Sequence, residues 1–186
     1  ISTNKVDMEM DYYTAVDDLL PDDQPGSDMI GVVEFNSSCF YRYACVDCGK
    51  LEENLAEDAD LAGGILQGFV EASVKAVPTG KQNSMAAQNP PSYVRVVLRK
   101  DGFPWSLANA FQDPASPARE LSLEKVSVVK LQEYMGKLKK AYDTGGVLCD
   151  LVLNLTEAEK PADADCVSSL KELLESIPAH YERGRS

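Results

Sequence analysis

Residues 93–99 alternate two kinds of position along the chain. Val94, Val96 and Leu98 form one set, and Arg95 and Arg99 belong to the other. A period of two is typical of a strand with one buried face. We therefore expect a half-buried strand whose arginines lie on its outer face.

Other stretches also show strand patterns. Residues 30–46 are rich in β-branched and aromatic types and are interrupted at Asn36-Ser37-Ser38. They predict either a hairpin or, preferably, one long bulged strand. Residues 5–10 suggest an earlier strand, and residues 147–153 suggest a later one. Thr14 with Asp17 instead predicts one or two helical turns over residues 14–20.

Helical patterns cover residues 50–56, 61–77, 123–142 and 167–177. The second helix has Asp58 or Asp60 as its cap. Its core-facing side is predicted to carry Leu61, Ile65, Phe69, Ala72 and Ala76. After the last helix we expect a mobile basic tail that includes His180. The order of elements indicates an α+β fold rather than an α/β fold.

The chain is acidic, with 18 lysines and arginines against 30 aspartates and glutamates and a net charge of -12. Such a balance opposes nonspecific attraction to nucleic acids. The stretch from residue 75 to residue 99 is different because it contains no acid. It does contain the cations Lys75, Lys81, Arg95 and Arg99, which form a basic island.

A polar loop at residues 77–89 lies inside this island. Pro78 and Gly80 favour a turn that points backbone N–H groups outward, and Lys81 is followed by Gln82, Asn83 and Ser84. This set of donors and acceptors suits phosphate and sugar oxygens. Any helix-to-strand connection has a similar composition, so an ordinary connecting loop is the alternative.

Candidate catalytic and metal-binding residues are few. Of the five cysteines, only Cys45 and Cys48 form a C-x-x-C pair, and there is one histidine. We expect reduced thiols in a cytoplasmic protein, with no metal, no cofactor and no enzyme activity. A small redox enzyme using Cys45 and Cys48 is a less favoured alternative.

Several phrases, taken together and in order, resemble the C-terminal half of the CasC family, the repeated CRISPR RNA-binding backbone subunit of type I-E Cascade. They are D-Y-Y-T-A-V-D-D-L at 11–19, F-Y-R-Y-A at 40–44, L-E-E-N-L at 51–55, V-P-T-G-K-Q-N-S at 77–84, Asn89-Pro90, and S-L-A-N-A-F at 106–111. The resemblance covers residues 1–115, and no distinctive motif follows.

The resemblance implies a partial RNA-recognition-motif-like, ferredoxin-like palm, with an antiparallel sheet and helices packed on one face. Residues 1–115 would form the C-terminal half of the palm, and residues 116–186 a helix-strand-helix extension packed on the same domain. An upstream half with fingers and most of a thumb is expected to be missing. Copies would polymerise along CRISPR RNA beside other Cascade subunits and leave its bases free to pair with target DNA, in antiviral defence, without cutting and without a membrane.

The resemblance also implies the RNA-binding residues. Lys81 would neutralise a phosphate, and Gln82, Asn83 and Ser84 would bind phosphate or 2′-hydroxyl oxygens. Arg42 is a weaker candidate whose alternative is a surface or intersubunit ion pair. A different hypothesis is an acidic interaction module that self-associates or docks on a partner through an exposed sheet edge.

Overall fold

The computed structural model describes residues 1–16, 27–56, 58–100, 103–117, 121–143 and 145–185. Its elements are β1 (Glu9–Val16), β2 (Ser27–Phe35), α1 (Cys48–Asn54), α2 (Ala59–Lys75), α3 (Gln82–Met85), β3 (Tyr93–Arg99), a 3-10 turn (Ala108–Phe111), α4 (Leu123–Tyr142), β4 (Val147–Asn154), β5 (Asp165–Val167) and α5 (Leu170–Arg185). The predicted α+β fold is confirmed. Across the described ranges, no helix is both long enough and apolar enough to span a membrane.

The central sheet has the strand order β3-β4-β5. β3 and β4 are antiparallel, with Val96 opposite Leu151, and β4 and β5 are parallel, with Val152 opposite Cys166. The parallel pair differs from the expected antiparallel sheet, and the sequence patterns predicted no strand at β5. Because β3 pairs with β4, the sheet joins residues before and after position 115.

One face of this sheet forms the main core. Cys149, Leu151 and Leu153 alternate along β4 and pack against α2 and α5. From the helices come Ala62, Leu66, Leu173, Leu174, Ile177 and Tyr181, all buried. A fully buried leucine contributes about 2 kcal/mol relative to an exposed one, so this cluster is a main source of stability.

The last helix extends further than predicted. α5 continues through Pro178 to Arg185, so the expected end at residue 177 and the mobile tail are wrong, and His180 lies in the helix. Tyr181 is 4% exposed and lies in the core. A proline inside a helix costs about 3 kcal/mol. Burial of the helical turn that follows Pro178 offsets that cost.

The opposite face of the sheet carries a buried charge network. The Nε and Nη2 atoms of Arg95 donate to Oδ1 and Oδ2 of Asp150 at 2.7 and 2.6 Å. From α4, the Lys139 Nζ donates to Asp150 Oδ2 at 2.8 Å and to Asp163 Oδ2 at 2.6 Å. The Arg95 side chain is only 7% exposed, so its expected solvent-facing position is wrong. α4 therefore contacts the face opposite α2 and α5, whereas we expected helices on one face.

The side of α2 that faces the core was also predicted incorrectly. Leu61, Ile65 and Phe69 are 50%, 38% and 39% exposed, and Ala72 and Ala76 are exposed as well. The buried residues are Ala62 and Leu66, on the neighbouring stripe. Packing against α5 selects that stripe, because α5 supplies the partners in the core. We call the exposed residues Leu61, Ile65 and Phe69 the α2 stripe.

β1 and β2 form a separate antiparallel hairpin. Thr14 pairs with Ile30 inside it, so the predicted helical turn is wrong at Thr14, and residues 17–20 lie outside the described residues. The strand begun at residue 27 ends at Phe35, so the long bulged strand to residue 46 is wrong. One face of the hairpin carries Met10, Tyr12, Ile30 and Val32, all largely exposed; we call it the hairpin face.

Residues 1–4 form hydrogen bonds with three later segments of the chain. The Thr3 N–H donates to the Cys39 carbonyl at 2.9 Å, and the Ala115 N–H donates to the Thr3 carbonyl at 2.8 Å. The buried Thr3 hydroxyl lies 2.8 Å from the Ser127 hydroxyl of α4. Residues 39–41 are thus fixed to α4 through this segment, although they belong to no long strand.

Candidate nucleic-acid interface

The 77–89 loop is a defined turn rather than an open connection. It contains the short helix α3, which begins after Lys81 (φ 55°) and ends before Ala86 (φ 47°), both in the left-handed region. The Met85 N–H donates to the Lys81 carbonyl at 3.0 Å and the Ala86 N–H to the Gln82 carbonyl at 2.9 Å. Left-handed non-glycine residues cost about 1–2 kcal/mol each, so the loop's hydrogen bonds must offset this strain.

The Gln82 side chain stabilises this turn. Its Nε2 donates to the Pro78 carbonyl at 2.7 Å and to the Ala87 carbonyl at 3.4 Å. Its Oε1 is buried and accepts no hydrogen bond from the described residues. Both N–H donors of the amide are therefore used to close the loop. A contact between Gln82 and RNA remains a prediction, and the geometry gives this residue a role in holding the loop.

Lys81 and Asn83 are the exposed polar residues at the start of the turn. Within the described ranges, no carboxylate lies at ion-pair distance from Lys81. The side chain of Ser84 lies outside what the structure describes. Lys81 therefore presents an unneutralised charge to solvent, with the Asn83 amide two positions from it.

The other cations of the basic island have partners. Lys75 forms an ion pair with Glu71 one helical turn earlier, and Arg95 lies in the buried network. Arg99 lies 3.6 Å from Asp143, and its guanidinium is 4.2 Å from the centre of the Trp105 ring. Of the four cations in the basic island, Lys81 is thus the one that has no carboxylate partner in the part of the chain that the structure describes.

Trp105 packs differently from a core residue. It is half-buried beneath Arg99, and its ring meets the exposed Phe103 ring edge-on at 6.5 Å. A guanidinium over an indole is attracted by the ring quadrupole and contributes about 0.5–1 kcal/mol at exposed sites. This stacking is a structural use for Arg99 and covers part of the indole.

Arg42 does not lie against a carboxylate in the described residues. Its Nη1 donates to the Ala76 carbonyl at 2.8 Å and its Nη2 to the Ser73 carbonyl at 2.5 Å. Both carbonyls belong to the C-terminal end of α2, just before the loop that carries Lys81. Sequence patterns could not show this contact, because Arg42 and Ser73 are separated by 31 positions.

The Cys48 thiol of the C-x-x-C pair has surroundings opposite to those of a reactive cysteine. Burial raises the pKa of the Cys48 thiol, and the carboxylates of Asp47 and Glu52 raise it further. Burial and the neighbouring Cys45 raise the pKa of Tyr43 to about 12. A reactive thiol needs a lowered pKa, usually near cations or a metal. The redox hypothesis is therefore disfavoured.

The chain is similar to a known protein family and to chains of solved structures. The family described as CT1975-like protein matches residues 1–176. A solved chain of a "CRISPR RNA-guided surveillance complex" is 27% identical with a TM-score of 0.82, over 96% of this chain and 66% of that one. A chain of a "CRISPR RNA-guided surveillance complex, pre-nicking" is 26% identical with a TM-score of 0.82, over 97% of this chain and 48% of that one.

This chain thus spans a little under two thirds of the first of those chains and about half of the second. Among proteins with curated descriptions, none matches it. The likeness to the two surveillance-complex chains agrees with the Cascade resemblance of the sequence phrases, which is confirmed. From the match over residues 1–176, the chain belongs to the CT1975-like protein family.

Proposed function

We propose that this chain is part of a non-catalytic CRISPR RNA-binding backbone subunit of a type I-E Cascade surveillance complex in the cytoplasm. It holds the guide RNA by its sugar-phosphate backbone, so that the spacer bases pair with target DNA. The likeness to chains of CRISPR RNA-guided surveillance complexes supports this role. Base pairing, and not protein side chains, then supplies the sequence specificity.

The observation that carries the proposal is the exposure of Lys81 and its lack of a carboxylate partner among the described residues. Lys81 also begins a turn stabilised by its own hydrogen bonds. Because the turn fixes the backbone at Lys81, only the side chain of this residue has to be ordered when it binds a phosphate. Lys81 contacts a backbone phosphate, and Asn83 binds a neighbouring phosphate or 2′-hydroxyl oxygen.

The acidic charge of the chain fits this local mode of binding. With a net charge of -12, long-range attraction does not bring RNA to the surface. Contacts must then come from a small number of well-placed groups and from several copies acting along one RNA. Linked copies raise the effective concentration of each weak contact, so contacts repeated from copy to copy strengthen the hold on a long strand.

Two exposed apolar surfaces support self-association of the copies. The hairpin face carries Met10, Tyr12, Ile30 and Val32, and the α2 stripe carries Leu61, Ile65 and Phe69. The two surfaces differ in shape, one being a sheet and the other a helix. Packing of the hairpin face of one copy on the α2 stripe of the next is head-to-tail, and such a contact builds an open helical array when its rotation does not close into a ring.

The second candidate function is an interaction module without RNA binding. The same exposed apolar surfaces favour it, because patches of this kind mark protein contacts. In that case the chain would self-associate, or dock on a partner through a sheet edge, while Lys81 remained free in solvent. The two candidates differ in whether substitution of Lys81 changes RNA affinity.

The test is binding of repeat-spacer RNA to the intact protein, measured by fluorescence anisotropy. Lys81→Ala is expected to weaken binding by about five-fold, as for removal of one charge-assisted hydrogen bond. The matched control is Lys75→Ala, which removes an exposed lysine near the loop that is already paired with Glu71. Equal affinity of Lys81→Ala and wild type would leave only the interaction module.

A further inference from the structure

The C-terminal end of α2 is held by a side chain from another segment. The helix ends at Lys75 with Ala76 as its cap in an extended conformation, and the Ala76 N–H donates to the Ala72 carbonyl at 2.8 Å. The last carbonyls of a helix have no partner within it. The Arg42 guanidinium donates to two of them, Ser73 and Ala76. A positive charge at this end also complements the helix dipole.

Arg42 projects from a fixed part of the chain. Its neighbour Tyr41 exchanges backbone hydrogen bonds with Ile1, each 2.9 Å long. The Tyr41 hydroxyl accepts from the Leu107 N–H at 2.9 Å, and its ring lies 6.0 Å from that of Phe111. The guanidinium thus connects the end of α2 to an anchored segment rather than to a flexible one.

The position of Lys81 depends on how α2 ends. Only residues 77–80 separate Ala76 from Lys81, and the Pro78 carbonyl among them accepts the hydrogen bond from Gln82. A change in direction at Ala76 would therefore move Pro78, and with it the amide that closes the turn. These contacts form a continuous path from the Tyr41 anchor through Arg42 to the turn that presents Lys81.

We infer that Arg42 is a positioning residue for the 77–89 loop and not a ligand of the RNA. The effect of Arg42 on RNA binding rests on the proposed function, because Lys81 is the residue whose position Arg42 fixes. The two carbonyls lie three residues apart on α2, and two nitrogens of a single guanidinium reach both. Lysine keeps the charge but has all its donors on one flexible nitrogen, so it does not reproduce the fixed two-nitrogen geometry of the guanidinium.

Hydrogen exchange in the RNA-free protein tests the positioning directly. Arg42→Ala and Arg42→Lys should both speed amide exchange in residues 76–88 by about five-fold, with β3 and β4 unchanged. Arg183→Ala is the matched control, because Arg183 is also exposed and donates to a helix carbonyl, that of Ala179, in α5. Wild-type exchange of the loop in either Arg42 variant overturns the inference, whatever the protein binds.

A double-mutant cycle with RNA then separates positioning from direct contact. If Arg42 acts through Lys81, Arg42→Ala weakens binding in the wild-type background but by less than about two-fold when Lys81 is already alanine. Additive losses, or recovery of wild-type affinity by Arg42→Lys, would mean a direct phosphate contact and overturn the inference. An unchanged affinity for Lys81→Ala alone would instead reject the proposed function and leave the exchange result standing.

Discussion

Strand β3 and the 77–89 loop carry the same kind of charge in different surroundings. The Arg95 guanidinium in β3 is 7% exposed and meets both oxygens of Asp150, whereas Lys81 in the loop is exposed and has no carboxylate partner among the described residues. The strand cation is part of the structure, since it neutralises a buried acid. The loop cation is available to a ligand. A charge is therefore informative about binding only after its partners in the fold are known.

The largest expected effect lies in the buried network. Asp150→Ala should lower the free energy of unfolding by about 3–5 kcal/mol, because it removes both hydrogen bonds that the buried Arg95 makes to Asp150 and leaves only Asp163, at 3.7 Å, as a counter-charge. Urea unfolding monitored by circular dichroism measures the change. Replacing both partners, as Arg95→Met with Asp150→Leu, should recover most of the loss, since Lys139 keeps its contact with Asp163. A fully stable Asp150→Ala variant would contradict the assignment of this network as structural.

A smaller effect is expected at the exposed apolar surfaces. Ile65→Glu on the α2 stripe should weaken self-association by about ten-fold or more, because a carboxylate would be desolvated at the contact. Light scattering over a range of concentrations measures it. Phe103→Ser is the control, because it removes an exposed apolar residue away from the stripe. Association that survives Ile65→Glu and disappears with Phe103→Ser would reject the head-to-tail contact.

The half-exposed Asp163 of the charge network should make the stability of the protein depend on pH in acid. Burial opposes ionisation of Asp163, but Lys139 and Arg95 outweigh it and hold the pKa of Asp163 below its ordinary value. A lowered pKa contributes stability above the unfolded-state value of about 3.9, and this stability is lost as the pH falls through the folded value.

Asp163→Asn should therefore remove part of the stability loss seen on acidification below about pH 4. The side chain is 48% exposed, so the expected contribution at neutral pH is less than about 1 kcal/mol. Unfolding curves recorded at pH 7 and pH 3 measure the difference. If wild type and Asp163→Asn lost the same stability between these two pH values, Asp163 would contribute nothing to the acid response.

Local patterns predicted much of the secondary structure. The spacing of residues 123–142 and the cap Asp58 indicated α4 and the start of α2, and the alternation at residues 93–99 indicated β3. These features depend on neighbours in sequence, so periodicity and capping chemistry are sufficient to find them.

The surroundings of the charged side chains could not be predicted in the same way. Arg95 and Asp150 are separated by 55 positions, and Arg42 and Ala76 by 34. Only the pairing of β3 with β4, and the approach of residues 39–42 to α2, brings these groups together. The α2 stripe was misassigned for the same reason, because Leu61 and Ala62 are both apolar and only packing against α5 decides which is buried.

The comparison of the two cations is tested most directly by the salt dependence of RNA binding. On a single strand, the slope of log affinity against log salt concentration falls by about 0.7 for each phosphate that the protein no longer neutralises. We expect Lys81→Ala to lower the slope by about this amount. Lys75→Ala should leave it unchanged, because the Lys75 cation is paired with Glu71. An unchanged slope in Lys81→Ala, or an equal decrease in both variants, would contradict the claim that the loop presents the chain's RNA-binding charge.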